Sequence, residues 1–296
     1  MFSGSFVALI TPFLNGNVDE VKLRELVEFQ IRHGTNGIVP CGTTGESVTM
    51  SDDEQALVIS IVVETVAGRV PVIAGTGTND TAKTIKLTRR AQALGATGAL
   101  LVTPYYNKPT QEGLFRHYSA IAAATDLPLI LYNVPTRTSV NLLPETVARL
   151  AKIPSIAGIK EASGSIDQST QIVASCRDDF VVLSGDDSLT LPIMSVGGRG
   201  VISVVANIAP RPVAEMTAAF LHGESRAAQR IHIGLFDLCR AMFIETNPIP
   251  VKTAAGILGL CSDELRLPLC PMSDANSRRL REALAASPYT QLVGAR

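Results

Sequence analysis

Eight short apolar runs, rich in β-branched residues, recur along the chain at residues 6–10, 37–40, 70–74, 99–103, 127–132, 155–160, 180–184 and 200–205. Their starts fall roughly 20 to 35 residues apart, and most of the intervals carry a helical pattern. Residues 19–33 place Val21, Leu23, Leu26, Val27 and Ile31 at helical spacing. Ser51-Asp52-Asp53-Glu54 reads as a capped helix start, and 80–94 and 111–125 follow the same logic. Runs that are apolar throughout and alternate with helices mean βα units and a parallel sheet.

Eight such units point to a (β/α)8 barrel rather than an open doubly wound sheet. No GxGxxG follows the first run, which weakens the dinucleotide-binding alternative. The expected barrel occupies 1–223. Residues 224–239, 250–258 and 273–286 read as helices, so 224–296 is expected to form a C-terminal helical appendage.

With 46% hydrophobic and 18% charged residues, the chain can build a large core. Its formal net charge of −1 favours neither nucleic acid nor an anionic membrane as partner. The first 21 residues hold no Lys or Arg, so a signal-peptide n-region is lacking. No apolar run approaches the ~18 residues that a membrane span needs. The five cysteines form no CxxC, and the four histidines are scattered on helical patterns. Neither a metal site nor a disulfide framework is expected, and a reducing cytoplasm fits best. Cys41 has no basic neighbour in sequence and reads as a small buried residue.

The sixth run ends in a lysine, "IAGIKEAS" at 156–163. In a (β/α)8 barrel the C-terminal strand ends face the catalytic mouth. A lysine there loses solvation, its pKa falls, and the neutral amine can attack a carbonyl to form a Schiff base. Equally, Lys160 could snorkel to solvent or pair with Glu161. Its company bears on the choice. "CGTTGES", 41–47, offers Thr43 and Thr44 amides and hydroxyls in a glycine turn that can hold a carboxylate. "TPYYNKPT" follows the fourth run, and "SGDD", 184–187, closes the seventh. "LYNVPTRTS" carries Tyr132, able to move protons, and Arg137, able to grip a carboxylate. Gathered at one face, these groups describe a keto-acid site. "IETNPIPVK", 244–252, reads as a turn that fixes the C-terminal helices over the barrel.

Together, GTTGES at 42–47, PYYNKP at 104–109, YNVPTRT at 132–138 and GIKEAS at 158–163 resemble the dihydrodipicolinate (4-hydroxy-tetrahydrodipicolinate) synthase family, within the pyruvate-dependent class I aldolases. The resemblance covers essentially the whole chain and is weakest after about residue 225. It implies condensation of pyruvate with L-aspartate 4-semialdehyde in diaminopimelate and lysine biosynthesis, without a cofactor. It implies that Lys160 forms the imine and that Tyr132, Thr44 and Tyr106 form a hydroxyl relay, Tyr106 reaching in from a neighbouring subunit. Thr43 and Thr44 match the carboxylate cradle, Arg137 the mouth arginine for the second substrate, and Gly185 and Ile202 positions lining the pyruvate pocket. A tight dimer, and usually a homotetramer, is implied with these.

The alternatives are another pyruvate-dependent aldolase, such as an N-acetylneuraminate lyase or a 2-keto-3-deoxy-sugar aldolase, and a non-catalytic barrel. Sugar-cleaving relatives generally lack an arginine matching Arg137, and a non-catalytic barrel is expected to have lost the lysine or a relay hydroxyl. Many members of the family bind inhibitory lysine at positions matching Ser47, Val48, Asp52, Gln55, Asn79, Lys83 and Tyr105. Inhibited members typically carry histidine at the Asp52 position and glutamate at the Lys83 position. Lys83 would repel the ligand's ammonium, so weak or absent lysine inhibition is expected.

Overall fold

The computed structural model describes residues 2–290. The final six residues of the expected helical appendage, 291–296, lie outside it. Among the described residues the strands are β1 (Gly4–Ala8), β2 (Phe13–Leu14), β3 (Asn17–Val18), β4 (Gly37–Val39), β5 (Ile73–Gly75), β6 (Gly98–Val102), β7 (Leu129–Asn133), β8 (Ile156–Glu161), β9 (Val181–Ser184) and β10 (Gly200–Ser203). The α-helices are α1 (Glu20–Arg32), α2 (Asp52–Val66), α3 (Thr81–Ala93), α4 (Gln111–Ala122), α5 (Pro135–Thr138), α6 (Pro144–Leu150), α7 (Ile166–Ser175), α8 (Thr190–Ser195), α9 (Pro210–Leu221), α10 (Ser225–Ala241), α11 (Ile249–Ile257) and α12 (Asp274–Ala286).

Eight strands pair in parallel in the order β4-β1-β10-β9-β8-β7-β6-β5. The ring closes through a parallel bridge between Ile38 and Val72. Ile38 N donates to Pro71 O at 3.0 Å and Gly75 N to Pro40 O at 2.9 Å across that seam. The fold is therefore a (β/α)8 barrel with a helical C-terminal segment. Each expected run meets a strand to within three residues at either end. The third run starts late: Pro71 has no N–H to give the ladder, and Val72 gives its own to Thr97 Oγ1 at 2.8 Å. The first begins early, at Gly4, whose pairing with Gly200 leaves no room for side chains. A Cβ on Gly200 would come within 2.0 Å of Gly4 O.

The helix starts are fixed by side chains. Asp19 and Asp80 cap α1 and α3. Ser51 and Glu54 form a capping box at α2, with Glu54 N donating to Ser51 Oγ at 3.1 Å and Ser51 N to Glu54 Oε2 at 2.8 Å. Val21, one of the apolar residues that patterned α1, is exposed, and Gln30 takes a buried place instead. Gln30 can do so because its Nε2 donates to Ala206 O at 2.8 Å.

The barrel interior is filled by Phe6, Val39, Ile73, Leu100, Ile130 and Leu183, with Ile202 and Tyr132 in the same cluster. A second cluster runs from α1 and α2 to α10, α11 and α12, so the C-terminal helices share their core with the outer barrel layer. The β2–β3 ribbon turns at Asn15-Gly16, both at positive φ. Asn-Gly supplies that backbone at little cost. Among the described residues no helix is long and apolar enough to cross a membrane.

Candidate active site

Strands β7 and β8 pair so that Tyr132 lies beside Lys160 and Asn133 beside Glu161. Alternation sends the first pair inward and the second outward. Lys160 is 5% exposed, and its Nζ lies 4.3 Å from the centroid of the Tyr132 ring. It therefore neither snorkels to solvent nor turns to Glu161. The Glu161 carboxylate is held elsewhere, by Asn133 Nδ2 at 3.1 Å, Ser163 N at 2.7 Å and Gln168 Nε2 at 3.2 Å. Burial holds that carboxyl above the usual carboxylate range.

Gly185 follows β9 and touches the lysine stem. A Cβ there would meet Ala162 Cβ at 2.6 Å and Lys160 Cε at 3.1 Å. Asp187 is buried next to it and accepts from Ser203 Oγ and from the Val204 and Val205 amides at 2.9 and 3.1 Å. Burial raises the Asp186 and Asp187 carboxyls, and the Lys160 charge partly opposes this. Ile202 lies on β10, fully buried and paired with Phe6.

The turn after β4 brings Gly45 N back to Gly42 O and Glu46 N back to Thr43 O, both at 3.1 Å. Among the described residues, the Thr43 and Thr44 amides between them find no acceptor. Two adjacent free N–H groups in a tight turn form an anion-binding concavity. Thr43 lines a cavity of about 240 Å3 together with Tyr132, Arg137, Ser47, Val48 and Tyr105. Lys160 does not itself line this cavity, but it contacts Tyr132, which does. Arg137 sits on the single turn of α5, and its Nη2 donates to Asn247 O at 2.9 Å. Cys41 also borders the cavity, and burial pushes its thiol well up, which keeps it protonated.

Asn247 was missed from sequence. Its Nδ2 donates to Thr44 Oγ1 at 3.0 Å, while its buried Oδ1 has no partner among the described residues. The turn "IETNPIPVK" thus reaches two site residues at once, through the Thr44 hydroxyl and Arg137. A polar residue set before a run of prolines was the only local signal.

Tyr106 stands apart from the cavity. It is 90% exposed and left-handed at φ 71°. Of the expected effector positions, Ser47, Val48 and Tyr105 line the cavity. Gln55 Nε2 donates to Ser47 O at 2.8 Å, and Asn79 O accepts from Asn107 Nδ2 at 3.3 Å. Asp52 takes Lys83 at 3.5 Å and Lys86 at 2.9 Å, so the Lys83 ammonium lies against a carboxylate. A larger cleft of about 710 Å3 runs between the Asp186–Asp187 loop and α10 and α12, and neither Lys160 nor Tyr132 lines it.

Comparison with known proteins places the chain in a family. The model of the dihydrodipicolinate synthetase family matches residues 1–287. The chain belongs to that family. The 4-hydroxy-tetrahydrodipicolinate synthase of Geobacter sulfurreducens is 62% identical over 280 residues, 95% of this chain and 97% of that protein. Dihydrodipicolinate synthase from Aquifex aeolicus superposes with a TM-score of 0.96 at 49% identity, covering 98% of this chain and 99% of that one. The chloride-inhibited dihydrodipicolinate synthase of Acinetobacter baumannii, in complex with pyruvate, gives a TM-score of 0.96 at 46% identity over 98% of this chain and 100% of that one.

Proposed function

We propose that this chain is a 4-hydroxy-tetrahydrodipicolinate synthase, which joins pyruvate to L-aspartate 4-semialdehyde in lysine and diaminopimelate biosynthesis. The observation that carries this reading is the pairing of Lys160 with Tyr132, whose ring lines a cavity together with Arg137 and Thr43. Near-full-length relatives bearing that activity's name support it.

Lys160 attacks the keto carbon of pyruvate and water leaves, giving an imine. Protonated, the imine is an electron sink, so a methyl proton is lost and an enamine forms. The enamine carbon attacks the aldehyde carbon of the second substrate. That substrate's amine then displaces Lys160 by transimination and closes a six-membered ring. Several protons move in these steps between groups that must stay in register. Tyr132, with Thr44 and a neighbour's Tyr106, supplies that relay. The Thr43 and Thr44 amides hold the pyruvate carboxylate, and Arg137 receives the carboxylate of the semialdehyde. Gly185 and Ile202 line the pyruvate pocket, Ile202 through its carbonyl. The chain's own lysine does the work of a cofactor.

The same reading takes 1–223 as the catalytic barrel and 224–296 as its helical appendage, in a cytoplasmic homotetramer built from tight dimers. Ser47, Val48, Asp52, Gln55, Asn79, Lys83 and Tyr105 form a degenerate effector site. The test is pyruvate consumption with L-aspartate 4-semialdehyde, beside N-acetylmannosamine and a short sugar aldehyde. Turnover with the semialdehyde alone, lost in Lys160→Ala and Arg137→Ala, is the expected result. Turnover only with a sugar aldehyde would move the chain to the lyase branch.

A further inference from the structure

The mechanism leaves one buried ion pair unused. Lys252 Nζ, on α11, lies 2.6 Å from Glu46 Oε1, and both side chains are withdrawn from solvent. Both charged groups have further partners. The ammonium also donates to Glu264 O at 2.5 Å and lies 4.2 Å from the Phe13 ring centroid. The other carboxylate oxygen, Glu46 Oε2, accepts from Arg266 N at 3.1 Å.

Such a pair is a poor device for stability. Desolvating two charges cancels most of their attraction, and apolar side chains of similar volume often serve as well or better. Its place in the chain suits another role. Glu46 follows Thr44 by two residues, in the left-handed region at φ 55°. Lys252 follows Asn247 by five. The cradle loop and the entry to α11 are therefore joined twice, by Asn247 to Thr44 and by Lys252 to Glu46. Thr11 Oγ1 and Gln55 Nε2 hold the loop's Gly45 and Ser47 carbonyls, each at 2.8 Å, and the two links to α11 and its entry fix its tilt against the C-terminal helices. The loop's two unfilled amides have a useful direction only if that tilt is set.

We propose that Glu46 and Lys252 are positioning residues, whose buried ion pair sets the Thr43–Thr44 cradle for the carboxylate of pyruvate and so governs capture of the first substrate rather than the strength of the fold. This rests on the reading that the cradle holds pyruvate.

The test uses the full chain and the double variant Glu46→Gln/Lys252→Met, which leaves no buried charge unpaired. Three quantities are read: the thermal midpoint, the pyruvate dependence of the borohydride-trapped adduct by intact mass, and KM for each substrate. We expect a midpoint near the parent's, a half-saturating pyruvate concentration raised at least tenfold, and a semialdehyde KM changed less than twofold. An unchanged pyruvate dependence overturns the proposal, as does an equal rise in both KM values, which a general loosening would give. If the double variant does not fold, Lys252→Arg decides. It keeps the charge but cannot reproduce the ammonium's three contacts, and a pyruvate dependence equal to the parent's there overturns the proposal too. Absence of any adduct in the parent would instead strike the functional reading itself.

Discussion

Asn247 and Thr44 stand 203 residues apart and share one hydrogen bond, 3.0 Å from Nδ2 to Oγ1. That bond leaves the Thr44 hydroxyl hydrogen free to point elsewhere, because the amide does the donating. Removing it in Asn247→Ala costs about one buried hydrogen bond, ~1 kcal/mol. The expected result is a fall in kcat of roughly fivefold. KM for the semialdehyde should hold within twofold, since Arg137 binds the backbone carbonyl of residue 247, not its side chain. Steady-state kinetics with each substrate varied checks both.

Gly185→Ala should damage imine formation directly. Its methyl would press on Ala162 and on the Lys160 stem. Overpacking of this kind costs about 1 to 3 kcal/mol. Trapping with pyruvate and borohydride should slow by at least tenfold, and a parent-like rate would show that the stem has room to move.

Lysine should inhibit weakly or not at all. The Lys83 ammonium has Asp52 as its counter-ion, so at the expected effector position a ligand ammonium would meet a cation in place of an acid. Half-inhibition at sub-millimolar lysine in a turnover assay would contradict this.

Acid should weaken the fold through His117. Burial holds its pKa down at about 4, below the ordinary histidine value of 6.5, with its Nδ1 2.9 Å from Thr81 Oγ1. A depressed folded pKa means that the native state binds fewer protons than the unfolded chain. The contribution is present above pH 6.5 and is lost as pH falls toward 4. Denaturant titrations across that window should show a steeper loss of stability in the parent than in His117→Gln.

Tyr106 should act in trans. Mixed oligomers of Tyr106→Phe and Lys160→Ala subunits are expected to recover activity that neither parent preparation has, since each dimer can assemble one intact site. No recovery after co-refolding would place Tyr106 outside the relay.

Much of the fold was legible because buried parallel strands write themselves as unbroken apolar runs, and because Asp19, Ser51, Asp80 and Ser273 announce their helices. Lys160 and Tyr132 were legible as strand-end residues, but their adjacency was not. It depends on the β7–β8 register, which shifts by one residue between Leu129 and Ile130. Asn247, Glu46 and Lys252 were illegible for a different reason. Each is an ordinary polar residue until a partner some 200 residues away closes on it. The Asn15-Gly16 ribbon was the reverse case, a strong local turn signal passed over because it lies outside the repeating βα pattern.

The barrel's first strand lies between β4 and β10. On a ribosome, β1 therefore emerges early and waits, one edge bare, until residue 203 has been made. The cradle waits longer, for Asn247, Lys252 and finally Arg266. A nascent chain can own the lysine, the tyrosine and a nearly complete barrel and still be unable to seat its first substrate. On the function proposed above, activity in this molecule thus arrives as one of the last acts of synthesis.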